Sequence, residues 1–295
     1  MFDYVLYILM RSFIFFVNCM PTGIAYAFGR LLGRAISVLA CKRRELVRAN
    51  MTRVFSNTKS FEEIDALVRN FYESFGMNIV DFARLSRASK EYIKGTVEFE
   101  GLDNLKRAKA DGNGVVLLSA HFGSWETLNA ALAIEGYAMG VIARPIDNPY
   151  VDRYIERMRS RFGNDIIPKK NSVRSMLSIL KGGGILGILM DQRASWKESV
   201  EVAFFGTKAR TNKGLASILT RVDSVVVPIY IHRTSNERHR VVCLPKTELQ
   251  RSDDREADIA ENTRRFNSAI EGFIMAHPRE WFWFHSRWER RKYTG

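Results

Sequence analysis

From Val97 onward, short apolar runs alternate with helical segments, and that alternation restricts the fold more than any other feature of the chain. The runs are VEFE (97–100), GVVLLSA (114–120), AMGVIA (138–143), DII (165–167), GILGILM (184–190) and SVVVPIYI (224–231). Near-continuous apolar strands separated by helices predict an α/β fold with a mostly parallel central sheet flanked by helices, and ligands gather at the carboxyl ends of such strands. Helix ends are also legible. Ser60 with Glu63 makes a capping box before Phe61, Ile64, Leu67, Val68, Phe71, Phe75 and Ile79, which repeat at helical spacing to about Ser86. Asn148-Pro149 reads as a cap followed by proline at the first helical position, and Gly163 follows the last turn of that helix. Neither a fixed-period repeat nor a Pro/Ser-rich linker interrupts residues 97–295, so the expected organisation is one catalytic domain, 46–295, behind an N-terminal segment, 1–45.

That N-terminal segment points to a membrane. Residues 2–20 form an apolar run about long enough to cross a bilayer, although Arg11 near its centre costs roughly 2.5–3.5 kcal/mol on insertion scales. At helical spacing Tyr4, Tyr7, Arg11 and Asn18 share one stripe, which predicts a helix lying partly in the interface or packing that stripe against the protein. A cleavable signal peptide fits poorly, because the positive n-region and an A-x-A site are missing. The following segment, Ile24–Ala40, carries Gly29 and Gly33 at G-x-x-x-G spacing, has Arg30 and Arg34 one turn apart, and ends in Cys41-Lys-Arg-Arg-Glu45. Those basic residues suit a cytoplasmic membrane face; a packed helix hairpin with a solvated basic edge is the plainer alternative.

A formal charge of +13 favours anionic partners: nucleic acid, anionic lipid, sugar phosphate or an acidic carrier protein. Nucleic acid is set aside because no helix-turn-helix, zinc-finger or RNP-type signature occurs. Three cysteines without a C-x-x-C pair give neither a disulfide framework nor a zinc site, and Cys243, in a strand-like run, reads as a core residue. His232, His239, His277 and His285 form no short metal spacing, so no metal is expected.

Chemistry concentrates in Leu117-Leu-Ser-Ala-His121-Phe-Gly-Ser-Trp-Glu126. His121 falls just past a buried strand, Gly123 permits a tight turn, and Glu126 enters the first turn of the next helix. Acyl transfer from a thioester to a hydroxyl requires removal of a proton whose pKa is far above neutral; a histidine base supplies this, and a carboxylate can fix its tautomer. Read alone, the pair also fits a buried, satisfied histidine and a glutamate complementing a helix dipole. Ser124 is a rival nucleophile without the G-x-S-x-G elbow, and the glycines of 182–187 precede a strand instead of following one, unlike a dinucleotide fingerprint.

Beyond this motif lie GRLLGR, ARPIDNPYVDRYIERMRSRFG, LKGGGILGILMDQ, FFGTKARTNKGLA, VVPIYIHR and PREWFWFHSRWERR. On these pieces, together with HFGSWE, nearly the whole chain resembles the lipid A biosynthesis (Kdo-linked lauroyl/myristoyl) acyltransferase family, part of the wider H-x4-D/E glycerolipid acyltransferase group. The resemblance implies His121 as general base with Glu126 in support. It implies substrate-binding roles for Arg144, Arg159, Arg161, Asp191 and Gln192; the guanidinium groups of the three arginines suit phosphates or a phosphopantetheine arm. An isolated Arg157 reads as a solvated helix-face charge, and Asp191 on its own as a cap. The resemblance further implies an acyl-carrier-protein or acyl-CoA co-substrate with no resident cofactor, and an anionic glycolipid acceptor acylated on the hydroxyl of a 3-hydroxyacyl chain. It places the enzyme at the cytoplasmic face of a bacterial inner membrane. Two stretches depart from the family pattern: RASWKESVEVAFFG after Gln192, and Ser286-Arg287-Trp288 where an Arg-Arg-Trp is usual. Trp281, Trp283, His285 and Trp288 suit an interface, the acyl chain or packing under the sheet. Acylation of another glycolipid or a lysophospholipid is the alternative reading, and a non-enzymatic basic membrane- or nucleic-acid-binding protein is the second.

Overall fold

A computed structural model describes residues 1–170 and 172–288; the ERR that ends the C-terminal motif lies outside them. The N-terminal third is helical: α1 (Phe2–Cys19), α2 (Thr22–Leu39), α3 (Cys41–Phe55), α4 (Phe61–Leu85) and α5 (Lys90–Thr96). Alternation then begins with β1 (Val97–Glu100), α6 (Leu102–Ala110), β2 (Gly114–Ser119), α7 (Trp125–Ile134), β3 (Gly140–Ala143), α8 (Pro149–Ser160), β4 (Asp165–Pro168), α9 (Ser172–Lys181) and β5 (Ile185–Leu189). A hairpin of β6 (Ser199–Phe204) and β7 (Thr207–Asn212) follows, then α10 (Gly214–Leu219), β8 (Ser224–Arg233), β9 (His239–Cys243) and α11 (Arg255–Ala276).

Among the described residues the main sheet has seven strands in the order β1-β9-β8-β2-β5-β3-β4. Every neighbouring pair is parallel except β8 with β9. The central strand β2 is buried on both faces, as its unbroken GVVLLS run requires. Val116 and Leu118 enter a core shared with α4, α9, α10 and α11, whereas Val115 and Leu117 enter a second core with α5, α6 and α7. Both sequence-predicted caps form: Ser60 and Glu63 satisfy each other's backbone N–H groups, and the Asn148 side chain accepts from Tyr150 and Val151.

The helical third packs through α4. Gly29 and Gly33 of α2 meet Gly76 and Tyr72 of α4 so closely that a Cβ on Gly33 would sit 2.0 Å from the Tyr72 carbonyl oxygen. The G-x-x-x-G spacing is thus used inside the protein, and its basic neighbours are engaged there too: Arg34 pairs with Glu73 at 2.8 Å, and Arg30 donates to Asn236 at 2.9 Å. Helix α1 is long and apolar enough to cross a membrane by length and composition, with mean hydropathy 1.4, and most of its surface is exposed. Its polar stripe faces α8 and the end of α4. Tyr4 and Tyr7 contact Tyr150 of α8, Arg11 lies over the Tyr154 ring, and Asn18 donates to the Ala83 carbonyl.

Candidate active site

Sheet register assembles the site. Strands β2 and β5 are parallel neighbours with Ser119 opposite Leu189, so the residues two further along each strand, His121 and Asp191, emerge side by side at the carboxyl edge. The Asp191 carboxylate takes the His121 backbone N–H at 3.1 Å and lies 2.8 Å from Nδ1 of the same residue, both through Oδ1. Its other oxygen accepts the Trp281 indole N–H at 2.8 Å. Trp281 is held there by the segment after α11, which runs along the turn carrying His121: Phe122 bridges Trp281, Gly123 donates to the Glu280 carbonyl, and Phe282 donates to the His121 carbonyl. Gly123 adopts φ +54, and a Cβ there would strike the Ile231 carbonyl oxygen at 2.2 Å, which explains the glycine in the turn. The imidazole, a quarter exposed, is flanked by the Trp125 and Phe282 rings and has Gln192 Nε2 within 3.5 Å.

Glu126 lies elsewhere in the network. The pattern H-x4-E places it on the first turn of α7, where Arg159 of α8 grips it with two nitrogens, Nε at 3.0 Å from one oxygen and 3.1 Å from the other and Nη2 at 2.5 Å. So the carboxylate that touches the imidazole is Asp191, and Glu126 acts on it through space. Arg159, expected on substrate, spends its fork on Glu126 and locks α8 to α7. Arg144 follows β3 but is solvent-exposed and pairs with Asp147 at 3.5 Å, and among the described residues no bond joins it to His121. Arg161 donates to the Ser86 carbonyl at the end of α4 at 3.2 Å. Ser124 is buried with its hydroxyl 2.7 Å from that of Thr127, and Cys243 is a core thiol that burial pushes up to about 12.

Burial disfavours a charged imidazole at His121, but the Asp191 carboxylate more than reverses this, and the net result is a pKa above the ordinary 6.5. Asp191, despite burial, is held down to about 2 by His121 and the Trp281 N–H, so it stays ionised at any working pH. A general base at this position would have to be neutral to accept a proton. Raising its pKa moves the acid limb upward, so kcat/KM should fall about tenfold per pH unit below a midpoint lying above 6.5. Asp191→Asn should move that midpoint down, and Glu126→Gln should move it less. An unmoved limb in Asp191→Asn would assign the limb to another group.

The family model described as bacterial lipid A biosynthesis acyltransferase matches residues 1–290. The chain belongs to this family. It is similar to a lipid A biosynthesis acyltransferase of Haemophilus influenzae, 25% identical over 253 residues that cover 85% of this chain and 77% of the relative. It is also similar to the lipid A biosynthesis palmitoleoyltransferase of Escherichia coli, 26% identical with 88% and 84% covered. A phosphatidylinositol mannoside acyltransferase of Mycobacterium tuberculosis is 22% identical, with 90% and 87% covered.

In this acyltransferase a second buried network, not anticipated from sequence, supports the turn that carries His121. Asp81 of α4 binds the guanidinium of Arg233 at the end of β8, lies 3.2 Å from His239 Nε2, and accepts the Tyr26 hydroxyl of α2 at 2.6 Å. Arg233 also donates to Asn78 Oδ1 at 2.6 Å, and Asn78 Nδ2 donates at 3.1 Å to the carbonyl of Gly123. A chain of hydrogen bonds, charge-assisted where Asp81 and Arg233 take part and neutral at the Asn78–Gly123 link, thus runs from α2 through α4 to the turn carrying His121. The C-terminal aromatics resolve as packing: Trp281, Trp283 and Trp288 are buried, and Arg287 reaches under the β6–β7 hairpin to the Arg210 carbonyl and the Thr211 hydroxyl.

Proposed function

We propose that this acyltransferase moves an acyl chain from an acyl-carrier-protein thioester to the hydroxyl of a 3-hydroxyacyl chain on a Kdo-linked lipid A precursor. The supporting observation is the His121–Asp191 pair at the carboxyl edge of two parallel strands, an exposed-edge base backed by a buried carboxylate. Asp191 holds Nδ1 protonated, leaving Nε2 to take the acceptor hydroxyl's proton as its oxygen attacks the thioester carbonyl. The tetrahedral intermediate then collapses to an ester and releases the carrier thiol, which receives the proton from the imidazolium. Backbone N–H groups in the first turn of α7, which Ser124 does not cap with its side chain, are the candidate oxyanion donors. Glu126 and Arg159 fix α7 against α8 and so fix the turn. Residues 1–45 serve as the membrane anchor of domain 46–295, working at the cytoplasmic face of the inner membrane.

A second reading, another glycolipid acceptor, is favoured by the similarity to the phosphatidylinositol mannoside acyltransferase, since His121 recognises a hydroxyl and nothing of its carrier. The test is mass spectrometry of a Kdo-bearing lipid A precursor incubated with the folded protein and mixed acyl-carrier-protein thioesters, with acyl-CoA in a parallel reaction. A gain of one acyl group from the carrier-protein mixture is expected. No gain on that acceptor, together with a gain on a mannosylated or lysophospholipid acceptor, would replace the first reading with the second.

A further inference from the structure

A basic cleft of about 370 Å³ lies outside the catalytic edge, between α1 and α8. Arg153, Arg157 and Arg161 follow one another at four-residue spacing, so α8 turns one basic face toward α1, and Arg11 of α1 completes the wall with Tyr7 and Tyr154. No carboxylate lines the cleft, and among the described residues none forms an ion pair with Arg11, Arg153, Arg157 or Arg161. Arg11 is instead held by the Tyr7 hydroxyl at 2.8 Å and the Tyr154 ring, and Arg161 by one carbonyl, which leaves guanidinium donors facing the opening. Four like charges gathered without counter-ions repel one another, and a concave site of this kind recovers that cost when an anion with several acceptor oxygens enters.

We propose that this cleft binds the phosphate ester group of a membrane lipid. Phosphate is the fitting chemistry because its oxygens accept forked guanidinium bonds from several sides. A lipid source is favoured by α1 itself, whose polar stripe walls the cleft while Phe2, Leu9, Phe15 and Phe16 on its other flanks are exposed. A surface covering those side chains would bring its headgroups to the cleft mouth. Arg157, solvated in the sequence reading, becomes a ligand-facing residue, and binding is read without turnover, so this inference stands or falls apart from the acyl-transfer reading.

The full chain in detergent should be titrated calorimetrically with short-chain phosphatidic acid, short-chain phosphatidylcholine, inorganic phosphate and acyl carrier protein. Arg153→Gln/Arg157→Gln is compared with Lys42→Gln/Arg43→Gln, which removes equal charge from exposed positions on α3. Phosphatidic acid should bind the wild type and the α3 variant alike and about thirtyfold more weakly to the cleft variant, with thermal unfolding unchanged, at roughly a factor of five per basic residue. Arg153→Lys/Arg157→Lys should fall between, because it keeps charge and loses the fork. Equal weakening in the two Gln variants would reduce the effect to general charge and overturn the site. Inorganic phosphate binding as tightly as the lipid would overturn the lipid assignment. Loss of acyl-carrier-protein binding in the cleft variant, with lipid binding intact, would give the face to the carrier.

Discussion

His121→Ala should lower acyl transfer by about 10²–10⁴-fold, the range for removing a positioned general base, without unfolding the chain. The expectation about folding follows from the contacts of Asp191. Loss of the ring removes one of its partners, but the backbone N–H of residue 121 and the Trp281 indole still donate to it, so the buried carboxylate is not stranded. The ring is itself partly exposed, and little core volume is lost with it. Single-turnover kinetics with carrier-bound substrate, beside a melting curve by circular dichroism, separates the two effects. An inactive variant that also melts far lower would make the loss one of folding; a folded variant with near-normal turnover would remove His121 from the mechanism.

The α/β class and the strand positions were legible because strands inside a parallel sheet are near-continuously apolar, as GVVLL, GVIA and GILGIL are, while VEFE alternates as a half-exposed edge strand. The helix caps were legible for an equally local reason. What could not be read was which loops meet. His121 and Asp191 are 70 positions apart, and only the β2–β5 register joins them. The five-residue spacing of H-x4-E drew attention to Glu126, yet a residue five along in a strand–turn–helix crossover starts the helix, where Arg159 reaches it. The β6–β7 hairpin was missed because its turn gives a weak signal: Phe205, an aromatic, takes φ +51, and only Gly206 marks the reversal. Its backbone N–H is tied to Glu271 of α11, a long-range contact that compensates a conformation Phe alone disfavours. The role of Asp81, inside an amphipathic helix, is not legible in the sequence for the same reason, since its partners come from α2, β8 and β9.

Asp81→Ala should be strongly destabilising, at about 3–5 kcal/mol, because it removes the carboxylate paired directly with the buried Arg233 guanidinium and leaves only the more distant Glu280 to offset its charge. The tyrosine hydroxyl of α2 and the His239 ring lose their acceptor in the same step, which loosens α2 as well as β9. Burial opposes the Asp81 charge, but Arg233 and His239 together hold its pKa well below the usual carboxylate range. A depressed carboxylate contributes stability that is present above its unfolded value, near 3.8, and is lost as pH falls through the folded value. The gap between wild type and Asp81→Ala should accordingly stay constant across neutral pH and close only in strong acid. Activity should fall along with stability, because Arg233 positions Asn78 and Asn78 holds the Gly123 carbonyl of the turn that carries His121. Thermal unfolding in detergent at several pH values measures the first effect. A gap that already closes near neutrality would mean that Asp81 is not the ionised partner of Arg233, and the chain of bonds from α2 to His121 would lose its central link.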